Sequence, residues 1–239
     1  MKTIPLPRTR LTVSQLCLGT NQFGTALDDA RAHELIDTFR ALGGNFIDTA
    51  HAYADWVPSA PRAASEHCIG RWLSRQRRDS VVIATKGCEF DYRAGFQPRV
   101  MPEHLRADIE GSLAALGTDH IDLYWLHRDD PAQPVGVIVD ALIEQQRSGR
   151  IRHFGCSNWS VARIQACQPM WGLAEPDRDA MQQFAPGGYY EDGYRALHEA
   201  GLTMIPYSGQ SRGVFTRLAS GQEESIAADV KALYLSDTN

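Results

Sequence analysis

Four residues able to give, take or hold a proton stand at or just beyond the ends of short apolar runs: Asp48, Tyr53, Lys86 and His127. A free phenol, with a pKa of about 10, is a poor proton donor near neutral pH. An ammonium beside it favours the phenolate and strengthens the acid, while a carboxylate beside the ammonium keeps that group charged where burial alone would discharge it. A histidine can donate a hydrogen bond to an oxygen on which charge develops. Further along, Ser157, Asn158 and Gln183 carry the donors and acceptors that grip a carboxamide, and Tyr207 offers a flat ring. Taken singly, each has a plainer reading. Asp48-Thr49 caps a turn, Tyr53 is a rim aromatic, Lys86 is a solvated lysine, His127 is a hydrogen-bonded structural histidine, Ser157-Asn158 caps a helix, and Tyr207 is core.

The elements that must position these groups alternate. Gln15–Gly19 reads as a first strand, Asp28–Leu42 as a helix capped by Asp28 or Asp29 with Leu35, Ile36 and Phe39 on one face, and Asn45–Asp48 as a second strand. Ser65–Ser74 reads as a helix with Ser65 as its N-cap, and Val81–Thr85 as a buried β-branched strand. Pro102–Leu116 has proline at its start and Gly117 after its end, the signature of a helix. His120–Leu126, Ile151–Gly155, Ala180–Gln183 and Thr203–Tyr207 read as further strands. Helices over Val135–Ser148, Ser160–Cys167 and Glu191–Ala200 fall between them.

Regular alternation implies a parallel sheet covered by helices, either an open doubly wound sheet or a closed barrel. Gly19-Thr20-Asn21-Gln22-Phe23-Gly24 stands where an open dinucleotide-binding sheet would carry G-x-G-x-x-G, which weakens the open-sheet reading. In a barrel the catalytic groups gather at the C-terminal strand ends, where all of them can aim at one point.

Composition narrows the partners. With 43% hydrophobic and 22% charged residues the 239-residue chain can build a sizeable core, and a net charge of −5 gives no reason to expect nucleic acid. Five scattered cysteines, with no C-x-x-C pair, fit free thiols in a reducing cytoplasm rather than disulfides or a zinc site. No metal-ligand spacing is present, and no signal peptide or membrane-length apolar run is expected.

Six segments taken together resemble the aldo-keto reductase family. They are Phe46-Ile47-Asp48-Thr49-Ala50-x-x-Tyr53, Ala84-Thr85-Lys86, Tyr124-Trp125-Leu126-His127-Arg128, Gly149-Arg150-Ile151-Arg152-x-Phe154-Gly155-x-Ser157-Asn158, Gln182-Gln183 and Pro206-Tyr207-Ser208. Each motif is weak alone; six in order, each at a strand end, are specific. The resemblance implies a single (β/α)8 TIM-barrel-type α/β domain over residues 1–239 and an NADPH-dependent reduction of small or sugar-like aldehydes and ketones, with NADH as the alternative cofactor. It makes Tyr53 the general acid, assisted by Lys86, with Asp48 holding Lys86 and His127 orienting the carbonyl. It assigns the cofactor to Gly19, Thr20, Asn21, Asp48, Ser157, Asn158, Gln183, Tyr207, Ser208, Gln210 and Arg212. Trp56, His127, Arg128 and Trp159 are expected to line the substrate, Trp159 at the pocket rim. For Trp56 a surface loop packing its own tryptophan is the alternative, and for Arg128 a turn with a surface ion pair.

Three departures from the family pattern stand out. Ala54 follows Tyr53 where glycine is common, Tyr207-Ser208-Gly209 replaces the frequent Y-S-P, and no second match to the adenosine-phosphate segment is found in Val214–Asn239. The expectation is a barrel lacking its eighth strand and terminal helices, with one helix over Glu223–Leu235, acting as a monomer or a homo-oligomer. Two rival readings are an inactive barrel kept as a binding or regulatory subunit, and an unrelated barrel lyase or isomerase using Lys86 and His127.

Overall fold

The computed structural model describes residues 1–92, 95–167, 173–175, 195–199, 201–205 and 213–234. A short antiparallel hairpin, β1 (Thr3–Pro5) with β2 (Thr12–Ser14), leads into a parallel sheet. The sheet's strands are β3 (Leu18–Gly19), β4 (Phe46–Asp48), β5 (Val82–Gly87), β6 (Ile121–Leu126), β7 (Ile151–Ser157), β8 (Leu173–Glu175) and β9 (Thr203–Met204). They are hydrogen-bonded in sequence order, with all neighbours parallel. Helices α1 (Asp29–Ala41), α2 (Ala64–Leu73), α3 (Pro102–Leu116), α4 (Val135–Arg147) and α5 (Val161–Cys167) form the intervening connections. Consecutive parallel order with a helix after each strand is the winding of a (β/α)-barrel.

The period-2 alternation of each strand sorts its side chains. Phe46, Val82, Ala84, Leu123 and Trp125 face inward and pack with Leu6, Leu11 and Val13 of the hairpin, which plugs that end of the sheet. Ile47, Ile83, Tyr124, Leu126 and Phe154 face the helices and join Ile36, Ile69, Trp72, Ile109 and Leu142. By the same alternation Asp48, Lys86 and His127 continue the inward-facing rows at the C-terminal ends. Asn45 ties the hairpin to the start of β4, accepting from Ser14 N at 2.7 Å and donating to Thr12 O at 2.9 Å. At the opposite end from the site, buried Asp122 accepts from Arg78 (2.7 Å), Ile83 N (2.9 Å) and Arg152 (2.7 Å), clamping three successive strands.

Local signals account for most helix limits. Asp28 accepts from Arg31 N at 3.0 Å and caps α1. Gly117, at φ 63°, closes α3 in the left-handed conformation that glycine adopts without a Cβ penalty. Three expectations are corrected, and one element was not foreseen. Leu35 is exposed, and Ala32, Ile36 and Phe39 form the buried face of α1. Ser65 does not cap α2; Ala63 occupies that position, and the Ser65 hydroxyl is drawn into the support of the site. The hairpin was not foreseen, because two three-residue strands carry too little alternation to read. The tail holds a helix over Val214–Ala219, a 3-10 turn at Glu223–Ser225 and a second helix over Ala228–Tyr234. Extended backbone at Ile226 breaks the single long helix expected there.

The segment joining β7 to β9 through the sheet is Leu173–Glu175, where no strand was expected. The expected strand at Ala180–Gln183 lies outside the described residues. Residues 195–199 are helical, inside the expected Glu191–Ala200 helix. Among the described residues no eighth parallel strand pairs with the sheet.

Candidate active site

The site is built on Lys86, the penultimate residue of β5, whose side chain is 3% exposed. Its Nζ donates to the Asp48 carboxylate at the end of β4, to Thr49 O at 3.0 Å and to the Tyr53 hydroxyl at 3.2 Å. Three acceptors match the three N–H groups of an ammonium. Burial raises the pKa of the Asp48 carboxyl, against the opposing pull of the Lys86 charge and hydrogen bond. A buried ammonium is thus fixed against a phenol, which is the arrangement that strengthens a phenolic acid.

Tyr53 arrives from the loop after β4. His51 N bonds Lys86 O at 2.8 Å and Tyr53 N bonds Ala50 O at 3.1 Å, which turns the chain over the mouth of β5. Ala54 then adopts φ 85°. That left-handed conformation favours glycine, the residue the family resemblance leads one to expect there. Tyr53 meets Trp56 and His127 edge-on, each at 6.0 Å between ring centroids.

His127 follows β6, with its backbone N on Gly87 O at 2.8 Å and its carbonyl accepting from Asn158 Nδ2 at 2.8 Å. Burial, with help from the Lys86 and Arg128 charges, pushes His127 well below the ordinary imidazole value, so the ring is neutral. The Glu89 carboxylate lies 3.3 Å from its Nε2 but is already committed to Arg128, whose Nε donates to it at 2.8 Å.

A supporting network lies behind these groups. Thr20, fully buried, donates to Asp48 O at 2.9 Å and accepts from Ser65 Oγ at 2.9 Å. Glu66, also fully buried, accepts from Thr85 Oγ1 at 2.6 Å and bonds His51 Nδ1 at 2.8 Å. Burial works against charging His51, but the Glu66 hydrogen bond and charge, with Asp108 behind, outweigh it and raise its pKa. Sequence reasoning missed His51, Glu66 and Glu89. The available signals were a glutamate on a helix face otherwise buried, and an acidic residue three positions after Lys86.

The expected residues divide as follows. Asp48, Tyr53, Lys86 and His127 converge. Gly19 pairs in register with Asp48 at the strand mouth, and a Cβ added there would meet none of the described residues within 4 Å. Asn21 is exposed, while the Thr20 hydroxyl is committed to the backbone of Asp48 and to Ser65. Ser157 is buried, and Asn158, at φ 59°, donates to it at 3.0 Å. Trp56 is 49% exposed beside Tyr53, and Arg128 stacks over Phe90 at 5.3 Å. Trp159 is not at the rim. It is fully buried in the outer core under Arg163, and its indole N–H donates to Arg128 O at 3.2 Å, because the left-handed turn at Asn158 sends the next side chain outward. Gln183, Tyr207, Ser208, Gln210 and Arg212 lie outside the described residues.

The fold also gathers Asp29, His33 and Cys68 between α1 and α2, a set that sequence spacing did not reveal. Asp29 is bound by Arg71, both His33 nitrogens are engaged by Cys68 O and Arg75, and burial pushes the Cys68 thiol up to about 12. Two guanidinium groups and a backbone carbonyl thus already engage the Asp29 carboxylate and the His33 ring.

A family model described as the aldo/keto reductase family matches residues 15–183. The chain belongs to the aldo-keto reductase family. It is 39% identical to the uncharacterized oxidoreductase YrpG of Bacillus subtilis, over 67% of this chain and 51% of that protein. It is 31% identical to norsolorinic acid reductase stcV of Emericella nidulans, over 91% of this chain and 59% of that protein. The aldo-keto reductase AKR11C1 of Bacillus halodurans, solved in its holo form, superposes with a TM-score of 0.74 at 26% identity, covering 90% of this chain and 68% of that one. The chain thus spans a little over half the length of these two curated relatives. The family resemblance drawn from the six motifs is confirmed, and with it the barrel-type α/β class.

Proposed function

We propose that this aldo-keto reductase reduces an aldehyde or ketone to an alcohol with NADPH, NADH being the alternative, and that Tyr53 is the proton donor. The observation that carries this reading is the buried Lys86 ammonium held jointly by Asp48, Thr49 O and, at 3.2 Å, the Tyr53 hydroxyl.

Two features of the strand mouth support a nicotinamide there. Among the described residues, Gly19 leaves space beside Asp48. Ser157 and Asn158 bring a hydroxyl and an amide to the end of β7, with Asn158 Nδ2 engaged by His127 O and Ser157 Oγ, so it is the Ser157 hydroxyl proton and the Asn158 amide oxygen that are suited to a carboxamide. When bound, the cofactor supplies the hydride. Gly19, Asn21, Ser157 and Asn158 would hold it, together with Gln183, Tyr207, Ser208, Gln210 and Arg212.

The chain's own residues do the rest. The substrate carbonyl oxygen lies between the Tyr53 hydroxyl and the His127 ring. Tyr53 gives it a proton, and the phenolate left behind is held by Lys86. Asp48 keeps Lys86 charged and in place. Neutral His127 donates a hydrogen bond that orients the carbonyl without competing as the acid. Trp56 and Arg128 flank the opening. Several relatives are named as norsolorinic acid reductases, and the half-exposed Trp56 supplies an apolar wall suited to a flat carbonyl compound.

The test is a fluorescence titration with NADPH and NADH. Saturable binding favouring NADPH is expected, and binding of neither cofactor would overturn the reading.

A further inference from the structure

Glu89 has no place in the scheme above, yet it is 2% exposed and lies directly against His127. A charged side chain is seldom buried unless it is paired. The chain is bent to bring it there. Cys88, immediately after β5, adopts φ 62°, and its backbone N is anchored on Asp108 Oδ2 at 2.8 Å. Asp108 is itself gripped by Arg99 through two bonds of 2.8 and 3.1 Å. The bend turns Glu89 toward β6.

Glu89 Oε1 accepts from Arg128 Nε at 2.8 Å and from Phe90 N at 3.0 Å. Arg128 is in turn steadied by stacking over Phe90, and its carbonyl accepts from Trp159 Nε1 at 3.2 Å. The second oxygen, Oε2, lies 3.3 Å from His127 Nε2. The other imidazole nitrogen, Nδ1, is buried and has no hydrogen-bond partner among the described residues.

A neutral imidazole carries one N–H, and the partner at each nitrogen decides which one. A proton on Nδ1 would be a buried donor with no acceptor, the costlier way to leave a group unpaired. A proton on Nε2 has a carboxylate oxygen 3.3 Å away, at ion-pair distance rather than in an aligned hydrogen bond. The separation of 3.3 Å exceeds that of a tight charge-assisted bond, so the N–H is biased toward Glu89 without being consumed by it. Arg128 matters here as well. Unpaired, the Glu89 carboxylate would favour a second proton on the ring, whereas its ion pair with Arg128 leaves the ring neutral.

We propose that Glu89, locked by Arg128, is a positioning residue for His127, fixing it as the Nε2–H tautomer so that this N–H is available to the substrate carbonyl oxygen. The proposal rests on the reading that His127 meets the carbonyl.

The experiment is 15N NMR of the histidine side chains in the full 239-residue chain, with the His127 signal identified by its loss in His127→Gln. The parent should show the Nε2–H pattern. Glu89→Gln has a single oxygen, which Arg128 Nε and Phe90 N both claim, so it turns an amide N–H toward His127 Nε2 and should populate the Nδ1–H tautomer and lower kcat for an aldehyde. Glu89→Ala should populate the Nδ1–H tautomer and lose kcat by roughly ten- to a hundredfold, with NADPH affinity unchanged. A parent signal of the Nδ1–H or doubly protonated type would refute the proposal whether or not Glu89→Ala folds. So would Glu89→Ala with the parent's tautomer and kcat. A tautomer that responds to Glu89→Ala in a chain reducing no carbonyl would keep the positioning role and remove the reductase reading.

Discussion

Replacing Lys86 with methionine separates the ammonium's electrostatic role from the space it fills. In the proposed reaction the Tyr53 oxygen becomes a phenolate 3.2 Å from Nζ. At that distance a full charge pair is worth about 5 kcal/mol with an effective dielectric constant of ~20. Asp48 already takes up much of the ammonium's field, and the transition state carries only part of the phenolate charge. About half remains, some 2–3 kcal/mol, or a loss in kcat of roughly 30- to 150-fold. Stability should fall as well, because Asp48 is left as a buried carboxylate without its cation, a loss of about 3–5 kcal/mol. Adding Asp48→Asn removes that stranded charge. The double variant should recover most of the stability and none of the turnover. The assay is NADPH oxidation with an aldehyde at saturating cofactor, alongside urea denaturation of the parent and both variants. A Lys86→Met variant reducing the aldehyde at the parent's kcat would refute the electrostatic role. A double variant no more stable than the single one would refute the account of the ion pair.

Asn158→Ala should weaken NADPH binding about tenfold in a fluorescence titration, and unchanged affinity would remove Asn158 from the cofactor site. His51 and His127 should shape stability in opposite directions with pH. His51 has a raised folded-state pKa, so its contribution is complete below the unfolded value of about 6.5 and is lost as pH rises through the folded value. The stability gap between parent and His51→Gln should therefore narrow as pH rises above about 6.5, and a constant gap would contradict the His51–Glu66 pairing. His127 is depressed, so its contribution is present above about 6.5 and is lost as pH falls toward the folded value. His127→Gln should flatten the acid side of the stability curve, and an unaltered acid side would mean that the ring is not held neutral.

Much of the fold was legible because strand ends, glycine stops and alternation are local signals. α3 runs over Pro102–Leu116 as its proline start and Gly117 stop required. Asp48, Lys86 and His127 could be placed together because period-2 rows continue from Phe46, Ala84 and Trp125, which pack as one inner cluster. What was not legible depends on neighbours distant in sequence. Ser65 looked like a cap, but its hydroxyl is used by Thr20, 45 positions away. Trp159 looked like a rim aromatic, but the left-handed turn at Asn158 turns it into the outer core. Glu89 gave no periodic signal, since its burial depends on Arg128, 39 positions away.

The central claim is tested most directly by following the transferred hydrogen. NADPH deuterated at its transferable position would be incubated with an aldehyde and either the parent chain or Tyr53→Phe, and the alcohol examined by mass spectrometry. The account predicts an alcohol carrying deuterium at its carbinol carbon with the parent, and almost none with Tyr53→Phe although that variant still binds NADPH. No deuterated alcohol from the cofactor-bound parent, or equal yields from both chains, would contradict it.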